Sequence, residues 1–218
     1  AIGSTSLDSN TTGANNVSIG HTAMESNTTG QRNVAIGSHA LDSSTNGSYN
    51  VAIGHNALTV GSASNNTAVG NQALSSNSTG IYNVALGSEA LDANNSGGTN
   101  TAIGGHSLGA NTQGNSNTAV GYSALRDNTT GDQNVGLGYG ALGDNTTADS
   151  NVAIGFETSR LNTTGHSNVA VGFKAHYNGQ DSDYNVALGY EALKNNTGVG
   201  ANVAVGANAM KANTTGQS

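Results

Sequence analysis

One stretch, Asn117 to Gly131 (N-T-A-V-G-Y-S-A-L-R-D-N-T-T-G), is written over and over along this chain. No other feature constrains the fold as strongly. Counted from the leading asparagine, copies start at Asn16, Asn33, Asn50, Asn66, Asn83, Asn100, Asn117, Asn134, Asn151, Asn168, Asn185 and Asn202. Ten of the eleven gaps are 17 residues and one, Asn50 to Asn66, is 16. A fixed short period marks a repeat architecture, which grows along a line instead of around one globular core. The chain therefore reads as one continuous repeat domain over 1–218, with a partial repeat at 1–15 and twelve repeats over 16–218.

Aligned as columns, the repeat reports its own local structure. Position one is Asn and position two is β-branched in all twelve copies; position four is aliphatic and position five Gly in all thirteen. Large residues at two and four alternating with a small residue at three give a strand period. The spacing predicts a short strand whose positions two and four face inward, ended by a Gly with positive φ or a close neighbour. Positions eight and nine, mostly Ala-Leu, read as a second extended run with an inward apolar pair. Positions twelve to fifteen, mostly Asn-Thr-Thr-Gly, read as a turn with Gly in the left-handed position. Seventeen residues leave too little room for a strand, a helix and two connections, since leucine-rich repeats need about 20–29.

The expected fold is an all-β parallel β-solenoid (β-roll or β-helix) of about thirteen 17-residue coils, a rod roughly 60 Å long at about 4.8 Å per coil. Asparagines at positions one and twelve are expected to form ladders between copies, as amides do in cross-β stacks. About three large aliphatics per coil form a thin core, and the alanine rows at positions three and eight would let another chain approach closely. Self-association, as a homotrimer, follows.

Charge and composition narrow the partners. Thirteen acidic against six basic residues give a net charge of −7, with no basic cluster to neutralise phosphates, so nucleic acid is not an expected partner. No apolar run approaches the roughly 18 residues of a membrane helix. With no Cys, disulfides and thiolate metal sites are excluded. The chain opens at the third position of a repeat with Ala1 and closes one with Gln217-Ser218, which reads as a segment of a longer chain.

The N-V-A-I-G motif at Asn33 to Gly37, Asn50 to Gly54 and Asn151 to Gly155 resembles the S-V-A-I-G core of the head repeats of trimeric autotransporter adhesins. The fuller pattern N-T-A-x-G-x-x-A-L-x-x-N-T-T-G, met at Asn117 to Gly131, is similar to repeats of tail-fibre-like proteins, which often end in a self-cleaving chaperone domain. The resemblance covers essentially all 218 residues. It implies a left-handed parallel β-roll, a homotrimer, and an extracellular place on a virion or bacterial cell surface. Adhesin head repeats are shorter than 17 residues, so their corner geometry does not carry over, and the resemblance does not separate phage fibre from adhesin.

Candidate sites are few. Position six is aromatic in five successive repeats, Tyr122, Tyr139, Phe156, Phe173 and Tyr190. This column reads either as a platform for sugar rings or, more simply, as a structural ladder sealing a corner or an interface between chains. An irregular stretch follows, where His176-Tyr177 come after Ala175, and Asp181, Asp183 and Tyr184 sit where the Thr turn belongs. Repeat irregularities often map to a binding face, so any ligand is expected between Phe156 and Tyr190. In the repeat at Asn151, Thr158-Ser159 replace Ala-Leu, with Leu161 as the expected substitute for the missing Leu.

Other chemistry is weakly represented. His21 and His55 share a column about 10 Å apart, too far to share an ion; His39 and His106 share another four repeats apart, and His166 stands alone. The Asp181-x-Asp183 pair lacks the glycine-rich nonapeptide of calcium rolls. No nucleophile elbow or suitably spaced carboxylate pair occurs, so no enzyme, cofactor or metal is expected. The expected function is a structural or adhesive segment of an extracellular trimeric fibre that meets a host glycan or protein receptor. The alternative is an ice-binding or other solitary β-solenoid binding protein, the ice-binding form suggested by Thr at position thirteen in nine of thirteen copies.

Overall fold

A computed structural model describes residues 1–197 and 200–214; Gln217 and Ser218 lie outside the described residues. Among the described residues, twelve three-residue strands run from β1 (Val17–Ile19) to β12 (Val203–Val205), one per repeat at positions two to four. They form one parallel sheet in sequence order. Register is locked to the repeat: Val17 pairs with Val34 and Ile19 with Ile36, and the same columns pair through Val186 with Val203. A bridge from Ile2 to Ile19 extends the stack to the partial repeat. The chain is thus a parallel β-solenoid with 17-residue coils, and no described residue is helical.

Which face of the strand is inside reverses the sequence expectation. Position three is buried in every strand, whereas positions two and four are half-buried or exposed, as in Val17 and Ile19 around Ser18. The interior is lined instead by alanines at positions three and eight and by leucine at nine, including Ala119, Ala124 and Leu125, all at 0% exposure. The reason is width. Two walls of a 17-residue coil come close enough to admit Ala against Ala and one Leu, with no space for a second pair of branched side chains. The alanine rows therefore cannot be the surface another chain approaches. The outward side of the sheet carries Val, Ile, Leu and Thr instead.

The Ala-Leu segment is also not a second strand. Positions seven and nine hold the left-handed conformation, for example His39 (φ 59°), Leu41 (φ 53°), Ser123 (φ 54°) and Leu125 (φ 51°). The N–H groups of positions seven and nine point to opposite neighbouring coils, and the one between them bonds within its own coil, as Ala90 N–H does to Gly87 O. Glu89 N–H donates back to the Asn71 carbonyl, while Leu91 N–H donates forward to the Ser107 carbonyl. Backbone hydrogen bonds between coils thus continue around the whole circumference, which meets the requirement that buried amides be paired.

Both asparagine ladders form. Asn117 Oδ1 accepts the Asn134 backbone N–H at 2.9 Å, and Asn117 Nδ2 donates to the Gly131 carbonyl at 2.8 Å. At position twelve, Asn128 Nδ2 donates to Asn111 Oδ1 at 2.9 Å and to the same Gly131 carbonyl at 3.0 Å. This crowding explains the fifteenth column. Gly30 is not in the left-handed region expected of it; a Cβ there would lie 2.3 Å from both Asn27 Oδ1 and the Gly47 carbonyl oxygen. Positive φ belongs instead to the fifth column, where Gly121 stands at φ 129°.

Candidate functional site

The position-six rings form a continuous stack. Successive centroids from Tyr122 through Tyr139, Phe156 and Phe173 to Tyr190 are 5.8, 5.2, 5.4 and 5.3 Å apart, with planes within 16° of parallel. His106 closes the Tyr122 end edge-on at 5.5 Å. The rings remain 39% to 51% exposed. Offset stacking at these distances covers much of each ring face with the next ring, leaving edges and hydroxyls outward. A sugar platform needs free ring faces, so this geometry favours the structural ladder.

Beside the ladder lies a recess of about 370 Å³ lined by His106, Tyr122, Ser123, Arg126, Tyr139 and Arg160. Gly143 leaves room for the Arg160 side chain beside it, since a Cβ there would sit 2.6 Å from Arg160 Nε. The guanidinium groups of the recess already have carboxylate partners. Arg126 donates to Asp127 Oδ1 at 2.6 Å, and Arg160 Nε donates to Asp144 Oδ1 at 2.9 Å. Further along, Lys174 lies 3.1 Å from Glu157. Hydrogen bonds from Lys194 and then Lys211 hold the Glu191 carboxyl below its usual range. The strip is a charge-balanced surface of short-range pairs.

The irregular stretch divides into an outer and an inner part. Outside, Asp181 Oδ1 accepts from Thr164 Oγ1 at 2.7 Å, and Asp183 Oδ1 accepts the His166 backbone N–H at 2.7 Å. The two carboxylates thus each tie a corner to the preceding coil. Tyr177 packs near Lys174, whose Nζ is 5.2 Å from the ring centroid, and Tyr184 is exposed. Inside, His176 is fully buried in the slot of the repeat leucine. Leu161 does not replace the leucine missing from the previous coil; Ser159 itself is buried there, and Leu161 stays half-buried outside.

Sequence reasoning missed one column altogether. At position sixteen, side-chain acceptors of changing identity bind the position-sixteen N–H of the preceding coil. Ser48 serves Gln31, Asn115 serves Gly98, Asp132 serves Asn115, Asp149 serves Asp132 and His166 serves Asp149. Ser, Asn, Asp and His share no polarity class, only an acceptor one or two bonds beyond Cβ. That shared acceptor was the available signal.

The histidines and threonines are likewise committed within the protein. His39 stands between His21 and His55, edge-on to each at 5.6 and 6.1 Å, so rings from positions six and seven meet in one row. Its Nδ1 lies 2.8 Å from Thr22 Oγ1 and 3.0 Å from Asp42 Oδ2. Among the described residues no group of three His, Asp or Glu is placed to hold a metal ion. In the position-thirteen column, Thr112, Thr129 and Thr146 donate their hydroxyls to the carbonyls of Thr129, Thr146 and Thr163. An ice-binding face needs such hydroxyls free for water, so this use counts against that reading.

No protein-family model, curated protein or solved structure matches this chain.

Proposed function

We propose that this chain is a rigid segment of an extracellular trimeric fibre, of phage-tail or bacterial-surface type, that holds a receptor-binding region away from its particle or cell. One observation carries the reading. The outer sheet face presents two parallel columns of branched aliphatic and Thr side chains over all twelve strands, a length of about 50 Å at strand spacing. Val17, Ile19, Ile53, Ile103, Ile154, Val169 and Val171 on this face remain 36% to 45% exposed. Contiguous apolar surface of this extent marks an interaction site.

Coils repeating in one register make the face self-similar along its length, which suits a second and third copy of the same chain aligned in parallel. Three such faces turned to a common axis would bury every column at once, and the likeness of N-V-A-I-G to adhesin head repeats agrees with that arrangement. The Asp-rich, charge-paired surfaces of position ten onward would then face water. No described helix is long and apolar enough to cross a membrane.

The test is to charge the face without touching the core. Ile103→Lys with Leu137→Lys places two ammonium groups in the position-four column, on strands Thr101–Ile103 and Val135–Leu137. The expected result is a fall in mass from three chains to one with the β circular-dichroism spectrum retained. A trimer unaffected by both lysines would overturn the assignment of this face.

A further inference from the structure

Among the described residues the apolar core is interrupted once. One buried cluster runs from Ala23 to Ala153 and a second from Ala170 to Ala204. Between them the leucine column reads Ser159 and then His176, at 2% and 0% exposure. The position-twelve ladder breaks at the same place, because Gly179 stands where the repeat has Asn. Broken ladders alone do not divide the core. Ser44 and Gly61 also interrupt this ladder, yet Leu41 and Leu58 keep the first cluster continuous there.

Three replacements at this seam fit one another. The His176 ring fills space that an Asn would occupy; a Cβ on Gly179 would lie 2.1 Å from His176 Cε1. Ser182, in place of the usual Gly, sets its Oγ 3.0 Å from His176 Nε2 and accepts from Asn196 Nδ2 at 3.3 Å. Even so, buried polar atoms are left over. Ser159 Oγ, Asn162 Oδ1 and His176 Nδ1 have no hydrogen-bond partner. For Asn162 the cause is plain: the next rung, Gly179, has no side-chain amide to donate. Orphaned buried polar groups of this kind each weaken the packing where they occur.

We propose that this seam is an acid-sensitive break point, at which protonation of His176 uncouples the coils before it from the coils after it. The groups around the imidazole are Gly179 and Ser182 in its own coil, Ser159 and Asn162 at the facing positions of the coil before, and Leu193 and Asn196 in the coil after. None is ionisable, so no carboxylate is at hand to hold an imidazolium. Lys174, the nearest cation along the chain, is drawn outward to Glu157. In a linear array each coil is held by its neighbours, so one weak junction divides the whole into two cooperative units.

Burial moves the His176 pKa from 6.5 down to about 4. The opened seam therefore binds a proton more readily than the closed one between those values. Closed-state stability is complete above about pH 6.5 and falls as pH drops toward 4. Opening is expected to become about 20-fold more favourable between pH 7 and pH 5.

Peptide-resolved hydrogen exchange, corrected for intrinsic rates, measures this directly on the whole chain. Peptides spanning 156–182 should lose protection about 20-fold between pH 7 and pH 5, while those of coils 66–133 change little. His176→Gln should remove the pH dependence and leave the seam the least protected interior region. The triple variant His176→Leu, Gly179→Asn, Ser182→Gly, which restores the repeat, should raise protection there to the level of its neighbours. Uniform protection along the wild-type chain at both pH values, or a pH-dependent seam that survives His176→Gln, would overturn the proposal.

Discussion

Gly121→Ala is expected to destabilise the solenoid by about 4 kcal/mol, although it adds one methyl group. Two effects combine. At φ 129° the backbone lies where L side chains are rarely found, and the added Cβ would stand 2.6 Å from the Gly138 carbonyl oxygen of the next coil. Neither coil can yield, since each is held in register by hydrogen bonds on both sides: Gly121 N–H donates to Ile103 O and Gly138 N–H to Val120 O. Gly206→Ala separates the two effects. Gly206 has φ 123°, but nothing described lies within 4 Å of its Cβ position, so only the conformational part should remain, about 1–3 kcal/mol. Urea unfolding of the two variants checks the pair. Equal losses would show that close approach between coils contributes nothing.

Asn117→Asp should be nearly as costly, about 3–5 kcal/mol at pH 7, for a change of one atom. The amide is fully buried and used at both ends. Its oxygen takes the Asn134 N–H, and its nitrogen donates to the Gly131 carbonyl and, at 3.2 Å, to Asn100 Oδ1. A carboxylate keeps the first bond and turns the other two into contacts between oxygens. The buried Asp would therefore have its folded pKa raised above the ordinary 3.9. With that sign, the variant is least impaired below about pH 3.9 and loses stability as pH rises through the raised value. Unfolding measured at pH 4 and pH 7 against wild type should show the larger deficit at pH 7. An equal deficit at both would mean that the ladder tolerates a buried charge.

Much of this architecture is written in the sequence, because in a linear array each column reports one environment many times. Period, strand position, both Asn ladders and the parallel register follow from Asn, Val, Ala, Ile and Gly recurring in fixed places. What misled was the inference that the larger side chain faces inward. Val34 and Ile36 lie outside around the buried Ala35. Two signals ran the other way: position two exchanges Val with Thr at Thr67, Thr101 and Thr118, as a partly wetted surface allows, whereas position three stays Ala, Ser or Gly throughout.

The remainder was illegible for physical reasons. Left-handed Leu41 and Leu125 break the usual preference of bulky residues; each N–H donates to the next coil, to Ala57 O and Ala141 O, and each carbonyl accepts from its own coil, from Ser44 N–H and Asn128 N–H. The aromatic column was visible, but ring orientation decides between platform and ladder, and orientation is not a property of spacing. At the irregular corner, His176, Gly179 and Ser182 each read as a departure from the repeat. Only in three dimensions do they become one substitution, a ring filling the place of an amide.

The most direct measurement of the fibre reading is the molar mass of the segment by light scattering at neutral pH. Three parallel chains joined through their outer sheet faces predict about 64.5 kDa, three times the 21.5 kDa of one chain. A single-chain mass that persists as concentration is raised would contradict it, because the exposed Val and Ile columns would then face water on a stable monomer.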